Sequence, residues 1–124
     1  DLQGIMIGKI DLFFEHGGRY FVLDWKSNFL GDSLQDYTSE KVATAMNESN
    51  YHLQHLLYTL ASKKYLESRI PDFDYESQFG GAIYLFVRGL REKGDTGIFK
   101  YKAPLAKIEQ LDRILTIGVL REAI

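Results

Sequence analysis

The chain has 124 residues, no cysteine and a formal net charge of −2, with 45% hydrophobic and 26% charged side chains. Such a composition folds rather than staying disordered, and it excludes a disulfide scaffold, a thiolate zinc site and a cysteine nucleophile. The length leaves no room for a motor domain beside a second catalytic domain, and no apolar run reaches the roughly 18 residues of a membrane span.

In chain order, Gly8–His16 and Arg19–Lys26 read as two strands of a hairpin. Gly17-Gly18 between them is a favoured two-residue turn, because both positions accept positive φ. Residues 27–38 are polar and turn-rich and are expected to be a loop. Ser39–Glu48 is a predicted short helix with Val42, Ala43, Ala45 and Met46 on its apolar side. A longer helix is expected from about Asn50 to Arg69, with Leu53, Leu56, Leu57, Leu60 and Ala61 at helical spacing and Pro71 as its stop. After a loop rich in Asp and Tyr, Gly81–Arg88 is a nearly continuous apolar run, as a buried central strand would be. Gly97–Lys102 reads as an edge strand. Leu105–Ile117 closes the chain as an amphipathic helix behind Pro104. The fold class is therefore α/β (α+β), a mixed central sheet flanked by helices. The start at Asp1, without Met and directly before a strand, suggests that residues 1–124 are a single domain of a larger protein, truncated at its N-terminus.

Charge is uneven along the chain: residues 1–50 carry 4 basic and 8 acidic side chains, residues 85–124 carry 8 and 5. The basic end, with Arg88, Arg91, Lys93, Lys100, Lys102 and Lys107, could meet phosphate, and a mixed solvated surface explains it equally well.

A hairpin closed by Gly17-Gly18 sets His16 opposite Arg19, so Asp11 falls opposite Asp24 and Lys9 opposite Lys26. One face carries Lys9, Asp11, Phe13 and Glu15 with Tyr20, Val22, Asp24 and Lys26. The other, Ile10, Leu12 and Phe14 with Phe21, Leu23 and Trp25, is the expected core face. Two aspartates directly opposed across a ladder repel unless compensated. A shared proton, a hard cation such as Mg²⁺, or an ion network with Lys9 and Lys26 would each do so. A one-residue slip would send one aspartate to the other face.

Gly8-Lys9-Ile10-Asp11-Leu12 followed by Leu23-Asp24-Trp25-Lys26-Ser27-Asn28 and Leu30-Gly31 resembles the PD-(D/E)XK nuclease superfamily. Tyr51-x-Leu53-Gln54-x-x-Leu57-Tyr58-Thr59-Leu60-Ala61 and Phe79-Gly80-Gly81-x-Ile83-Tyr84-Leu85-Phe86-x-Arg88-Gly89 extend the likeness. Within the superfamily these motifs resemble most the C-terminal nuclease domain of exodeoxyribonuclease V beta chains, the RecB-type helicase-nucleases. The likeness covers Gly8 to Gly89 and is loose beyond.

The resemblance implies a restriction-endonuclease-like core and metal-dependent DNA phosphodiester hydrolysis, as the nuclease module of an ATP-dependent helicase-nuclease in double-strand-break repair and recombination. It implies that Asp11, Asp24 and the main-chain carbonyl of Trp25 ligate Mg²⁺, with Mn²⁺ as a substitute, and that Lys26 lies beside the scissile phosphate. Gln54, Tyr58, Tyr51 and Arg88 would support the site or touch DNA. His16, His52 and His55 are expected at the surface. DNA and the alpha and gamma chains of an exodeoxyribonuclease V-type complex are the implied partners, in the bacterial cytoplasm and without a membrane. ATP would enter only through helicase domains that these residues lack. The family's further metal ligand, from a helix before the first strand, has no counterpart here, so residues 1–124 alone could be inactive and self-associating. The alternative reading is a catalytically silent nuclease-like docking module for protein or DNA.

Overall fold

The computed structural model describes residues 11–123. Among them, β1 (Leu12–His16), β2 (Arg19–Lys26), β3 (Phe79–Phe86) and β4 (Ile98–Tyr101) form one sheet in the order β1-β2-β3-β4. The outer pairs are antiparallel and the central pair β2–β3 is parallel, so the sheet is mixed, as expected. Parallel neighbours require a long crossover. Here it consists of α1 (Ser39–Glu48), α2 (Tyr51–Arg69) and the single turn α3 (Tyr75–Gln78), and α4 (Leu105–Ala123) follows β4.

Gly17 and Gly18 both take positive φ, 60° and 78°, and the hairpin they close pairs His16 with Arg19 through to Leu12 with Leu23. Continuing that register by one residue sets Asp11 against Asp24. Gly8, Lys9 and Ile10 lie outside the described residues, and with them the expected Lys9–Lys26 pairing. Local chemistry sets the helix starts. The Thr38 side chain accepts the Lys41 N–H at 3.4 Å to open α1, and Asp74 accepts the Ser77 N–H at 3.0 Å to open α3.

Several expectations are corrected. β3 begins at Phe79 and ends at Phe86, and Val87–Gly89 is a 3₁₀ turn rather than the end of a strand. The polar loop contains a second 3₁₀ turn, Leu34–Tyr37, closed by a reciprocal Ser33–Asp36 capping box. The Asp/Tyr-rich loop contains α3, and α4 continues past Ile117 to Ala123.

The larger correction concerns the core. The helices cover the face that carries Asp24, not the one with Leu23. Val22 and Ala82 pack there with Leu60, Leu66, Tyr75, Phe79, Ala103 and Ile108. Farther along, Tyr84 and Phe86 pack with Tyr37, Val42, Ala45 and Met46. On the opposite face Phe21 and Leu23 are shielded within the sheet, while Leu12 is 42% and Trp25 49% exposed. Alternation alone assigns two faces to a hairpin without saying which one the crossover helices cover. On α2, Leu53 is 55% exposed, so the apolar stripe begins at Leu56 rather than Leu53.

His55 was expected at the surface, and it is buried instead, among Tyr84, Phe99 and Tyr101. Its Nε2 lies 3.2 Å from Nδ1 of His52 and its own Nδ1 has no partner. Burial, with His52 and Lys107 nearby, lowers its pKa to about 4. The unfolded chain therefore takes up a proton at His55 first, near the usual value of about 6.5, and stability present above that pH is lost as pH falls toward the folded value. We expect roughly 3 kcal/mol of acid destabilisation from this group. Urea unfolding between pH 7.5 and 4.5 should show a steeper decline for the parent than for His55→Phe, and equal slopes would contradict it.

Gly89 sits against the ring of Tyr37, where an added Cβ would meet the side chain at 2.2 Å. Gly89→Ala must therefore push the Val87–Gly89 turn off Tyr37. A loss of about 1–3 kcal/mol by chemical denaturation is expected.

Candidate active site

The two strands that run parallel, β2 and β3, end side by side at Lys26 and Phe86. In α/β sheets, ligands gather at the carboxyl ends of such strands. Asp24 and Lys26 project there from β2 onto the helix-covered face. Asp11 comes from the β1 edge, where solvent reaches it.

Asp24 is 6% exposed, and the hairpin register, continued by one residue, sets Asp11 opposite it. Burial raises the Asp24 carboxyl above the usual range. Asp11 pushes it the same way, and the Lys26 ammonium, 2.6 Å from Oδ2, pulls against both. Asp11 is held below its usual range, first by the Trp25 N–H that donates to its Oδ2 at 2.9 Å and then by Asp24. The pair therefore behaves as one unit, with any shared proton on the Asp24 side.

Lys26 rests on aromatic rings: its Nζ lies 4.1 Å from the centroid of Tyr51 and 5.3 Å from that of Tyr84. Tyr51 comes from the crossover itself, at the start of α2, and Tyr84 from β3 beyond it. Gln54 and Tyr58, four apart on α2, meet as the spacing requires, with Gln54 Nε2 donating to the Tyr58 hydroxyl at 3.2 Å. The Tyr84 hydroxyl donates to Gln54 Oε1 at 2.8 Å. One amide thus fixes two phenols beside Asp24. Burial and the nearby Asp24 carboxylate raise the pKa of Tyr58, and the same two causes push Tyr84 up.

The Tyr51 hydroxyl donates to Asn28 Oδ1 at 3.1 Å, which ties the start of α2 to the loop after Lys26. Arg88 stands apart from the carboxylates. Its Nε donates to the Ser27 carbonyl at 2.7 Å, and its guanidinium lies 5.9 Å from the Phe29 ring. Sequence reasoning missed Tyr84, Asn28 and Tyr37. Tyr84 was accessible in principle, since parallel pairing of β2 with β3 sets it beside Asp24. The pairing itself carries no local signal.

Residues 2–122 match the PD-(D/E)XK nuclease superfamily. The chain belongs to that superfamily. Among curated relatives it is 45% identical over 123 residues to the RecBCD enzyme subunit RecB of Escherichia coli strain K12, covering 98% of this chain and 10% of that protein. It is 43% identical over 113 residues to the subunit of the same name from Haemophilus influenzae, covering 91% and 9%. The RecB of Mycobacterium tuberculosis strain H37Rv is 36% identical over 128 residues, covering 97% and 12%. The chain thus spans about a tenth of the length of these relatives.

Asp11 and Asp24 fit a divalent cation of the kind PD-(D/E)XK nucleases use. A mostly buried carboxylate pressed against a second one is a repulsive arrangement, and a hard cation binding oxygen relieves it. Among the described residues no group of three or more His, Asp or Glu side chains converges. Any further coordination would come from main chain, water, phosphate or other segments. No helix of the described residues is long and apolar enough to cross a membrane.

Proposed function

We propose that this domain, residues 1–124, hydrolyses DNA phosphodiester bonds with Mg²⁺, Mn²⁺ substituting, as the nuclease module of a RecB-type helicase-nuclease acting in recombination and double-strand-break repair. The observation that carries the reading is the hairpin pairing that sets Asp11 opposite the buried Asp24, with Lys26 Nζ 2.6 Å from Asp24. A docking module has no need of a repulsive carboxylate pair beside a lysine held on two aromatic rings.

Asp11, Asp24 and the Trp25 carbonyl would hold the cation, which supplies Lewis-acid polarisation of the phosphate and a more acidic water. Lys26 balances Asp24 in the metal-free chain. With a cation on the carboxylates, its ammonium is freed to stabilise charge developing on the phosphoryl oxygens. Tyr51 and Tyr84 keep that ammonium in place, and Gln54 and Tyr58 hold the wall beside Asp24. Arg88, on the exposed 3₁₀ turn, meets the backbone of the strand being cut. ATP belongs to the motor segments of such a protein. The partners in this reading are DNA and the alpha and gamma chains of an exodeoxyribonuclease V-type complex in the bacterial cytoplasm.

The test is release of nucleotides from end-labelled DNA by the intact protein, with Mg²⁺ and after chelation. Metal-dependent release lost in Asp24→Asn supports the reading, and release unaffected by that variant overturns it. Residues 1–124 expressed alone are expected to bind short DNA weakly, through basic side chains and with strong salt dependence. They should cleave far more slowly than a chain extended upstream. Equal rates in a gel assay would show that these residues suffice.

A further inference from the structure

Residues 27–30, the loop that follows Lys26, are tethered at three of four positions. The Ser27 carbonyl accepts Arg88 Nε at 2.7 Å, Asn28 Oδ1 accepts the Tyr51 hydroxyl at 3.1 Å, and the Leu30 N–H donates to the Tyr37 hydroxyl at 3.1 Å. The fourth, Phe29, is 62% exposed. A single exposed aromatic is ordinary. This one is different in its setting, because the backbone on both sides is fixed and a guanidinium stands 5.9 Å from its ring.

Arg88 is fixed as well. It lies on the Val87–Gly89 turn, whose Gly89 packs directly on Tyr37, the same side chain that holds Leu30. Its neighbours Val87 and Leu90 are 44% and 39% exposed. Nε is spent on Ser27, which leaves the two terminal amino groups for an anion. The outcome is an exposed apolar ring, three residues after Lys26 in sequence, with an anion-seeking fork over it. A nucleobase with its attached phosphate has the complementary shape and charge. A duplex, whose bases are already stacked, does not offer that face.

We propose that Phe29 and Arg88 form a stacking subsite for one unpaired base of a single DNA strand, one or two nucleotides from the bond that Lys26 serves. This deepens the nuclease reading and rests on it. Phe29 receives the base face, and Arg88 takes the adjoining phosphate while bracing the edge of the stack.

The test is single-turnover cleavage by the intact protein of single-stranded oligonucleotides in which one abasic site is moved stepwise past a fixed scissile bond. The parent is expected to slow sharply at one abasic position, by ~5- to ~150-fold, the range that loss of one base–aromatic stack gives. Phe29→Ala should slow cleavage of the intact strand by a similar factor and abolish the dependence on abasic position. Phe29→Trp should keep both rate and dependence. An abasic profile that is the same in Phe29→Ala as in the parent overturns the subsite while leaving the nuclease reading standing. Loss of a co-purifying subunit in Phe29→Ala with an unchanged abasic profile also overturns it, and makes Phe29 a protein contact. Failure of the parent itself to cleave DNA with Mg²⁺ would overturn the functional reading, and with it this subsite.

Discussion

Lys26→Ala in the intact protein is expected to slow single-turnover DNA hydrolysis by about 10²–10³-fold, the usual effect of removing one group that stabilises charge in the transition state. DNA affinity should change little, because the ammonium sits within a nearly closed nest of Asp24, Tyr51 and Tyr84 and offers little to a ground-state strand. The same lysine also balances a buried carboxylate, so the variant carries a stability effect that must be separated from the rate. Leaving Asp24 without its partner is costly, because burial already disfavours its charged form. Thermal unfolding of each variant, followed by rates measured on the folded fraction, separates the two roles. If Lys26→Ala loses stability and yet cleaves at the parent rate, its role is confined to the ion network.

Asp24→Asn should remove metal-dependent stabilisation altogether. In the parent, a cation at about 100 times its dissociation constant adds about 2.7 kcal/mol, which for a chain of this size raises Tm by on the order of 10 °C. The sign with pH follows from the upward shift of Asp24. A carboxyl that ionises later in the folded chain than in the unfolded one favours folding below the ordinary carboxylate pKa. That contribution is lost as pH rises through the folded value. The metal-free parent is thus weakened as Asp24 ionises, and added Mn²⁺ restores it at pH 7.5 but not at pH 4. The variant removes the repulsion with Asp11 and also the ion pair with Lys26, so its metal-free stability should no longer follow the ionisation of Asp24. Scanning calorimetry with and without Mn²⁺ at the two pH values checks every arm. A variant that still gains Tm from Mn²⁺ would place the cation elsewhere.

The hairpin carries most of what was legible in the sequence. Gly17-Gly18 set the register, and the register alone put Asp11 against Asp24 and aimed Lys26 to the same side as Asp24. The i, i+4 spacing on α2 likewise foretold that Gln54 and Tyr58 would touch. The mixed sheet was foreseen, but not which face of it the helices cover or which distant side chains meet. The face with Leu12 and Trp25 is as apolar as a core face, yet the helices cross over the other one. His55 looked like a polar residue on a wet flank because its burial is produced by Tyr84, Phe99 and Tyr101, whose positions no local pattern gives. Tyr84 and Tyr37 escaped for the same reason, as each acts on a segment far from it in the chain. The family resemblance pointed to Asp11, Asp24 and Lys26 and to Gln54, Tyr58 and Tyr51 beside them, and left Tyr84 and Tyr37 without a role.

The split between a local hairpin and a distant parallel strand also orders the events of folding. Two glycines close β1 on β2, and such hairpins form in about 1–10 μs. The pairing of β2 with β3 must wait for a crossover of some fifty residues, and long-range parallel pairing is slow because the loop is closed before its contacts are gained. Asp11 and Asp24 are therefore together long before Tyr51, Gln54 and Tyr84 arrive to seat Lys26. In a partly folded chain the two carboxylates face each other while the lysine is still unplaced. Under the proposed function, the full site is assembled only once β3 has paired with β2.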